Sequence, residues 1–263
     1  MIQVLTIAGS DSGAGAGIQA DLKAISANGA YGLTAITSIT AQNTLGVTDI
    51  FDLPLSIIYS QIDSIFNDFD VSAVKTGMLS SSEIIEVVVD RMKKYAVEKL
   101  VVDPVMVAKG GSKLLQDSAI DKLKNELIPL AYAITPNIEE AKVLLGIGKI
   151  ETLEDMKSAA VELKKLGCKN VLLKGGHLDG EYTYDVAYDG EDLEVFSMQR
   201  IDTKNTHGTG CTMASTLAVN IAKGYDFFTS VLLAKSYVYN AILHAADMNI
   251  GRGHGPLKHF FLF

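Results

Sequence analysis

One segment of the sequence carries residues that could bind and transfer a phosphoryl group. It is Asn205–Cys211 (NTHGTGC), and it leads directly into the helical pattern of Thr212–Ala222. Glycines before a helix let backbone N–H groups converge on an anion, and the positive end of the helix dipole strengthens the attraction. We therefore expect an anion hole at Gly208, Thr209 and Gly210, suited to the charge of a transferred phosphoryl group. An ordinary turn with Thr209 as the helix N-cap is the alternative.

Cys211 falls in the first turn of that predicted helix. A free thiol has a pKa of about 8.5, and a helix N-terminus can lower it. We therefore expect Cys211 to accept the proton of an attacking alcohol, although buried cysteines are commonly inert packing residues. Cys168 follows Gly167 at the end of an amphipathic stretch, and we interpret it as a core residue.

Four polar residues after or at the ends of apolar runs suit a nucleotide and its metal ion. Asn137 and Glu140 would share one face of a helical turn, where an amide and a carboxylate can hold a hydrated Mg2+ ion. The same spacing is equally typical of a helix N-cap with a capping-box carboxylate. Lys174 closes a buried run before two glycines, so we expect it to bind phosphate. Asp103 closes another run and either supports the metal or bonds to a neighbouring loop.

A second glycine-rich loop, Gly9–Gly17, follows the first apolar run. It has no G-x-G-x-x-G spacing for a dinucleotide and no lysine for a P-loop. What it offers is close approach of the backbone to a small flat ligand, with Asp11 as a polar contact.

The elements that must position these motifs alternate along the chain. The candidate strands are Val4–Ala8, Thr34–Thr40, Ala73–Lys75, Leu100–Asp103, Ala133–Thr135 and Val171–Lys174. The candidate helices between them are Ile18–Ala27, Leu55–Phe66, Ser82–Lys94, Ser118–Glu126 and Leu153–Leu166, the last with a capping box at Thr152 and Asp155. Apolar strands alternating with helices predict a mostly parallel sheet with helices on both faces.

The pattern changes after Lys174. Thr183–Tyr188 and Leu193–Met198 flank Asp189-Gly190, which predicts a β-hairpin, and the helical segments Gly210–Lys223 and Phe227–Met248 follow. No linker or repeat interrupts the sequence, so we expect residues 1–263 to form a single domain.

Ligands of open α/β sheets bind beyond the carboxyl ends of the strands. Seven motifs fall at or just after such ends: Gly9–Gly17, Ala41–Asn43, Lys75–Met78, Asp103–Val107, Pro136–Glu140, Lys174–His177 and Asn205–Cys211. We expect all seven to meet at one rim of the sheet.

Composition excludes several classes of function. The net charge is −8 and no basic run is present, so we expect neither nucleic-acid binding nor attraction to anionic lipid. No window reaches the roughly 18 apolar residues of a membrane span, and the first residues lack the cationic start of a signal peptide. Two cysteines provide no disulfide framework. We expect a cytoplasmic protein.

Eight blocks, in order along the whole chain, resemble the hydroxymethylpyrimidine/phosphomethylpyrimidine kinases of thiamine biosynthesis, in the ribokinase-like superfamily. The blocks are Ala8–Lys23, Thr40–Thr44, Lys75–Met78, Asp103–Val107, Thr135–Ala141, Lys174–His177, Asn205–Thr212 and Gly253–Pro256. The resemblance implies a three-layer α/β/α sandwich, commonly a homodimer. It also implies phosphorylation by ATP, with Mg2+, of 4-amino-5-hydroxymethyl-2-methylpyrimidine and then of its monophosphate.

The resemblance also implies roles for individual residues. Gln42 would read the amino and ring-nitrogen edge of the pyrimidine, because an amide pairs a donor with an acceptor. Ala16, Met78 and Val105 would line the two faces of the pyrimidine ring. Independently of the resemblance, we expect Lys174, Asn137 and Asn205 to bind the phosphates of ATP, and Glu140 and Asp103 to bind the metal. Cys211 occupies the place of the catalytic Asp of related sugar kinases, and Asn205 stands where those kinases usually have Asp, which disfavours sugar chemistry.

Some alternatives stay open. A vitamin B6 kinase would also bind a flat heteroaromatic alcohol, although Gln42-Asn43 favours the pyrimidine. A non-catalytic sensor of the same fold would be expected to lack the anion hole or Lys174. The apolar tail Gly251–Phe263 either packs on the body of the protein or against a second subunit.

Overall fold

The computed structural model describes residues 1–106, 114–176, 178 and 180–262. Within them the strands are β1 (Gln3–Asp11), β2 (Tyr31–Asn43), β3 (Gly46–Asp52), β4 (Ala73–Thr76), β5 (Leu100–Val102), β6 (Ala133–Ile134), β7 (Asn170–Lys174), β8 (Tyr182–Tyr188) and β9 (Leu193–Gln199). They form one nine-stranded sheet in the order β3-β2-β1-β4-β5-β6-β7-β8-β9. The strands from β2 to β7 in that order are parallel to one another. At the edges the pairing is antiparallel: β3 pairs with β2, β8 with β7, and β9 with β8.

The helices are α1 (Gly17–Ala27), α2 (Leu55–Asp68), α3 (Ser82–Lys94), α4 (Asp117–Lys122), α5 (Ile138–Leu145), α6 (Leu153–Lys164), α7 (Thr209–Ala222) and α8 (Phe227–Leu243). Helices α1, α7 and α8 cover one face of the sheet and share one apolar core. Helices α2 to α6 cover the other face around a second core. The predicted three-layer α/β/α arrangement is therefore confirmed.

Residues of β1 show how the strands connect the two cores. Val4 packs with the α1, α7 and α8 layer, whereas Leu5 and Ile7 belong to the opposite core, and all three are fully buried. Side chains alternate between the faces of a strand, so a strand covered on both faces must be apolar throughout. This is the pattern from which the parallel sheet was predicted.

Capping and turn motifs in the sequence predicted the start of α6 and the β8–β9 turn correctly. The capping box at the start of α6 is present, with Asp155 N donating to Thr152 Oγ1 at 3.1 Å and Thr152 N donating to Asp155 Oδ2 at 2.9 Å. The hairpin of β8 and β9 turns through Asp189-Gly190, where Gly190 has a φ of 115°. Left-handed backbone of this kind favours glycine.

Other boundaries differ from the sequence prediction. Strand β3 was not predicted, because it lies at the sheet edge with mostly exposed or half-buried side chains and thus lacks an apolar run. The helix expected over Ser118–Glu126 becomes a π-helical turn at Leu123–Leu127. The helix expected over Phe227–Met248 ends at Leu243.

The C-terminal tail packs on the body of the protein. Leu257 and His259 are buried, and the ring of Phe261 contacts the rings of Tyr237 and His244 on and beside α8. His259 Nε2 lies 2.9 Å from Thr212 Oγ1 in α7. Between the two alternatives for the tail, the structure thus favours packing within the chain. No helix in the described part of the chain is long and apolar enough to span a membrane.

Candidate active site

The predicted motifs meet at the rim formed by the carboxyl ends of the parallel strands. A Cβ at Gly9 would lie 2.5 Å from Met78 Cε, and one at Gly210 would lie 3.3 Å from Lys174 Nζ. Asn137 forms a β-bridge with Lys174, and the amide of Gln42 lies 3.4 Å from the ring of His207. The convergence expected from the sequence is confirmed for the described residues; Val107 and His177, at the ends of two motifs, lie outside them.

Helix α7 begins with free backbone donors. Its N-cap is Gly208, with a φ of 84°, rather than Thr209, whose hydroxyl instead donates to Thr206 O at 2.7 Å. A side chain at Gly208 would overlap the carbonyl oxygen of Gly15. No side chain caps the helix among the described residues, so the N–H groups of Gly210 and Cys211 keep their capacity to bind an anion.

A buried ion pair lies on the side of α7 that carries Cys211. Lys75 Nζ is 2.9 Å from both carboxylate oxygens of Asp21, and both side chains are fully buried. Asp21 also accepts hydrogen bonds from Thr6 Oγ1 at 2.6 Å and from Ser215 Oγ at 2.7 Å. Ser215 is four residues after Cys211, and residues at that spacing share a helix face. The Lys75 ammonium therefore lies beneath the thiol.

Burial raises the pKa of the Cys211 thiol to about 11. Lys75 and the Gly17 N–H lower the pKa, whereas the carboxylates of Asp21 and Asp103 raise it. The sequence-based expectation of a lowered pKa is thus wrong for the ligand-free protein. Loss of water around the sulfur outweighs the helix terminus. At neutral pH, Cys211 carries its proton.

Lys174 and Asp103 form an ion pair over the first turn of α7. Lys174 Nζ lies 2.8 Å from Asp103 Oδ1, which also accepts from Thr135 Oγ1 at 3.0 Å. A Cβ on Gly210 would lie 3.3 Å from the lysine nitrogen and 3.7 Å from Asp103 Oδ2. Of the two alternatives for Asp103, the hydrogen bond to a neighbouring segment is present, since Thr135 follows β6, whereas support of the metal stays a prediction.

Glu140 and Asn137 form the capping box of α5. Glu140 N donates to Asn137 Oδ1 at 2.9 Å, and Asn137 N donates to Glu140 Oε2 at 2.8 Å. Burial raises the pKa of Glu140 to about 7; Lys174 lowers it and Asp103 raises it. No cluster of three or more His, Cys, Asp or Glu side chains suited to a metal occurs in the described part of the chain. Two carboxylates nevertheless fit Mg2+, which takes few protein ligands.

The carboxylate of Asp11 is used within its own loop. It accepts hydrogen bonds from the N–H groups of Gly13 at 2.8 Å, Gly15 at 3.0 Å and Ala16 at 2.8 Å, and it lies 3.0 Å from His207 Nε2. Burial raises its pKa, but these hydrogen bonds outweigh burial and leave the pKa below its ordinary value. The Asp11 carboxylate thus shapes the glycine-rich loop and ties it to His207, and the expected contact of Asp11 with a ligand stays a prediction.

The side-chain amide of Asn205 binds the segment that follows α8. Its Nδ2 donates to Ala245 O at 2.7 Å and Met248 O at 2.8 Å, beyond the end of α8. The contact of Asn205 with phosphate that we expect from the sequence stays a prediction.

The residues expected to bind the pyrimidine follow or lie near the carboxyl ends of β1, β2, β4 and β5. Ala16 is the N-cap of α1, and Met78 is buried against Gly9. Val105 is half-buried after β5, beside Asp103. Gln42 is near the end of β2, where its pairing with β3 shifts register between Ala41 and Gln42. Such irregularities re-aim side chains next to binding sites.

Sequence analysis missed three polar residues of this site. Lys75 lies in a quoted motif without an assigned role, and Asp21 and His207 were not singled out. A lysine in an apolar strand and an aspartate on the apolar face of a helix are each unusual alone. Together they could have indicated a buried ion pair.

Comparison with known proteins identifies the family of the chain. A family model described as phosphomethylpyrimidine kinase matches residues 11–258. A hydroxymethylpyrimidine/phosphomethylpyrimidine kinase of Haemophilus influenzae is 48% identical over 263 residues, covering 98% of this chain and 96% of that protein. A thiamine biosynthetic bifunctional enzyme of Arabidopsis thaliana is 48% identical over 261 residues, and the chain spans only 50% of its length. The crystal structure of an ADP complex of Bacillus subtilis pyridoxal kinase has a TM-score of 0.92 at 39% identity, covering 100% of this chain and 98% of that one.

Proposed function

The chain belongs to the phosphomethylpyrimidine kinase family, and from this we propose that it phosphorylates 4-amino-5-hydroxymethyl-2-methylpyrimidine with ATP, and then the monophosphate, in thiamine biosynthesis. It is a phosphotransferase with a small-molecule substrate. The observation that carries the proposal is the position of Lys174 over Gly210, at the uncapped start of α7.

The transferred phosphoryl group would lie between Lys174 and the first turn of α7. The N–H groups of Gly210 and Cys211 would donate to its oxygens, and the lysine would neutralise charge that builds up during transfer. Gly208 supplies the left-handed turn that allows these N–H groups to face one point. Since the overall charge of −8 repels phosphates, these local donors must supply the attraction.

We propose that ATP binds from the side of Lys174 and Asn137, which the β-bridge holds together. Mg2+ would be held near Glu140 and Asp103, where it neutralises charge on the phosphates. Its presence would also favour the ionised form of Glu140, whose pKa is about 7 without it. Lys174 would exchange its contact with Asp103 for one with the phosphate.

The acceptor pyrimidine would lie in the pocket of Ala16, Met78 and Val105, with its polar edge on Gln42. Its hydroxymethyl group would then approach Cys211. The thiol is protonated in the free protein, so it acts as a base only if its pKa falls when the substrates bind. Lys75 and the N–H of Gly17 supply the field that favours its thiolate.

The proposed function is tested by incubating the protein with ATP, Mg2+ and the aminopyrimidine alcohol while following both products over time. We expect the monophosphate first and the diphosphate later. Lys174→Met should lose both steps, because phosphate transfer loses its cation, whereas Lys169→Met, a lysine distant from the site, should retain both. Failure of the wild-type protein to consume ATP with this alcohol would reject the proposal.

A second candidate function is phosphorylation of pyridoxal or pyridoxine. It is favoured by the similarity to a structure of pyridoxal kinase with ADP. The amide of Gln42 favours the aminopyrimidine, because it pairs with adjacent amino and ring-nitrogen groups. Measuring kcat/KM for both alcohols decides between them, and we expect the larger value for the pyrimidine.

We also propose that two copies associate through the edge of the sheet. Ile39 on β2 and Phe51 on β3 are cross-strand neighbours, and both are exposed, at 49% and 66%. A contiguous apolar patch of this kind is typical of an interface between subunits. Light scattering should give a dimer for the wild type and a monomer for Phe51→Glu, while Lys149→Glu, at another surface, stays dimeric.

A cytoplasmic location is proposed from the thiols. Cys168 and Cys211 are both free, as expected in a reducing compartment. Cell fractionation tests this location, and recovery of the protein outside the cytosol would contradict it.

A further inference from the structure

The motif Gly253–Pro256 lies between the two halves of the proposed site without having a role in it. Its Gly253 N donates to Thr44 Oγ1 at 3.1 Å, and its His254 N donates to Thr44 O at 2.9 Å. Thr44 directly follows β2 and is two residues after Gln42, which is expected to bind the pyrimidine. One end of the motif is therefore bound to the acceptor side of the site.

The other end of the motif is bound to the loop that leads into α7. His207 N donates to Gly255 O at 3.0 Å, and His207 forms a parallel β-bridge with Pro256. The residue after His207 is Gly208, the N-cap of α7. Four residues of chain thus connect the end of β2 with the start of the expected anion hole.

Both glycines of the motif are required by the space around them. A Cβ at Gly253 would overlap the carbonyl oxygen of Thr44, and one at Gly255 would overlap Asn205 Oδ1. The Asn205 amide is held in place, because its Nδ2 donates to Ala245 O at 2.7 Å. Neither glycine has a positive φ, so the reason for glycine here is the close approach of the neighbouring loops.

The chain after the motif is anchored on α8. Lys258 N donates to Ala241 O at 3.1 Å. Tyr237 Oη donates to His259 O at 2.9 Å. Leu257 is buried in the core that α7 and α8 share. Because the motif is anchored to the body of the protein, it can hold the two loops at a fixed separation.

We propose that Gly253–Pro256 is a positioning segment, which fixes the end of β2 at Thr44 relative to the anion-hole loop at His207. This inference rests on the proposed function, in which the pyrimidine binds near Gln42 and the transferred phosphate at the start of α7. Reacting atoms must approach to about 3–3.5 Å, and a misplacement of about 1 Å can cost about 10²-fold in rate. Displacing the segment should therefore slow phosphoryl transfer, while each substrate alone still binds its own half of the site.

The test replaces each glycine of the motif by alanine. Gly253→Ala and Gly255→Ala add a Cβ that forces the motif away from Thr44 or Asn205. Gly148→Ala is the matched control, since Gly148 also lacks a positive φ and its Cβ would meet nothing within 4 Å. The rate of a single turnover is measured with ATP, Mg2+ and the pyrimidine alcohol at excess protein. Calorimetry gives the dissociation constants of the alcohol alone and of ADP alone.

We expect Gly253→Ala and Gly255→Ala to lower the single-turnover rate at least about tenfold, because alignment of the two substrates is lost. Both dissociation constants should stay near the wild-type values, since each half of the site is intact. Gly148→Ala should match wild type in all three quantities. Urea unfolding shows whether each variant is folded.

Thr44 provides a milder pair of variants, which decides the matter if the alanine variants do not fold. Its Oγ1 accepts hydrogen bonds from the N–H groups of Arg252 and Gly253, both at 3.1 Å. Thr44→Val removes this acceptor with little change in side-chain volume, and Thr44→Ser keeps it. We expect a slower single turnover with unchanged binding for Thr44→Val, and wild-type behaviour for Thr44→Ser.

A wild-type rate in the folded alanine variants, or in Thr44→Val if those do not fold, would overturn the inference. Weaker binding of either ligand that accounts for the whole loss of rate would also overturn it, because the segment would then serve binding rather than alignment. Failure of the wild-type protein to phosphorylate the alcohol overturns the proposed function itself, and the inference with it.

Discussion

Lys75 Nζ lies 2.9 Å from both carboxylate oxygens of Asp21, and neither side chain is exposed to water. Two helices and two strands meet at this pair, because Asp21 also accepts from Thr6 on β1 and from Ser215 on α7. The pair therefore holds the start of α7 against the sheet, and it places a positive charge beneath Cys211.

Replacing Lys75 should be strongly destabilising. Lys75→Met leaves the Asp21 carboxylate buried without its cation, which costs about 3–5 kcal/mol in comparable pairs. Urea unfolding measures the free energy. The double variant Lys75→Met with Asp21→Asn removes the unpaired charge and should be more stable than the single variant. Equal stability of the two would contradict this assignment.

Cys211→Ala should affect the two phosphorylation steps differently. The first nucleophile is an alcohol, for which a base contributes about 10²–10⁴-fold, whereas the second is a phosphate oxygen that is already ionised. Separate assays with the alcohol and with its monophosphate measure both rates. Cys168→Ala, a buried thiol away from the site, is the matched control and should leave their ratio unchanged. Equal loss in both steps would remove Cys211 as the base.

Gly208 should be irreplaceable for a steric reason beyond its backbone angle. Gly208 and Gly224 have φ values of 84° and 91°, but only at Gly208 would a Cβ meet another group, the carbonyl of Gly15. Gly224→Ala should therefore cost only the left-handed strain, about 1 kcal/mol. Gly208→Ala should cost more and abolish phosphate transfer. Unfolding and activity assays on both variants measure this, and similar behaviour of the two would refute the close contact.

Glu140 should make stability depend on pH. Its pKa is raised from 4.5 to about 7 in the folded protein, so between these values the folded form holds a proton that the unfolded form has released. The contribution of Glu140 to the free energy of unfolding is fully present below about pH 4.5 and is lost as the pH rises to about 7. Glu140→Gln keeps a capping-box side chain and should flatten the decline.

The effect of Mg2+ on thermal stability provides a second comparison of wild type with Glu140→Gln. At pH 8 the ion should stabilise the wild type, because it binds the ionised carboxylates of the native state. Thermal unfolding with and without Mg2+ should show the shift in wild type and a smaller shift in Glu140→Gln. An identical shift in both proteins would place the metal elsewhere.

The helical layers and the rim of the sheet could be predicted from the sequence. Apolar runs such as Val171–Leu173 can only be buried on both faces, so a parallel sheet with two helical layers follows from hydrophobicity alone. Glycine spacing at Gly208–Gly210 and the lysine at the end of β7 predicted a phosphate site, because backbone approach and charge are local properties. The edge strand β3 was missed because its exposed and half-buried residues form no continuous apolar run.

The contacts of the individual polar residues at this rim could not be predicted from the sequence. Asp11, Asn205 and Cys211 were interpreted from their immediate neighbours in the chain, but each also has a remote partner: His207, the segment after α8, and Lys75, respectively. Hydrogen-bond partners and loss of water depend on which elements pack together, and both effects exceed the influence of a local helix terminus. The protonation of Cys211 is therefore a property of the folded protein.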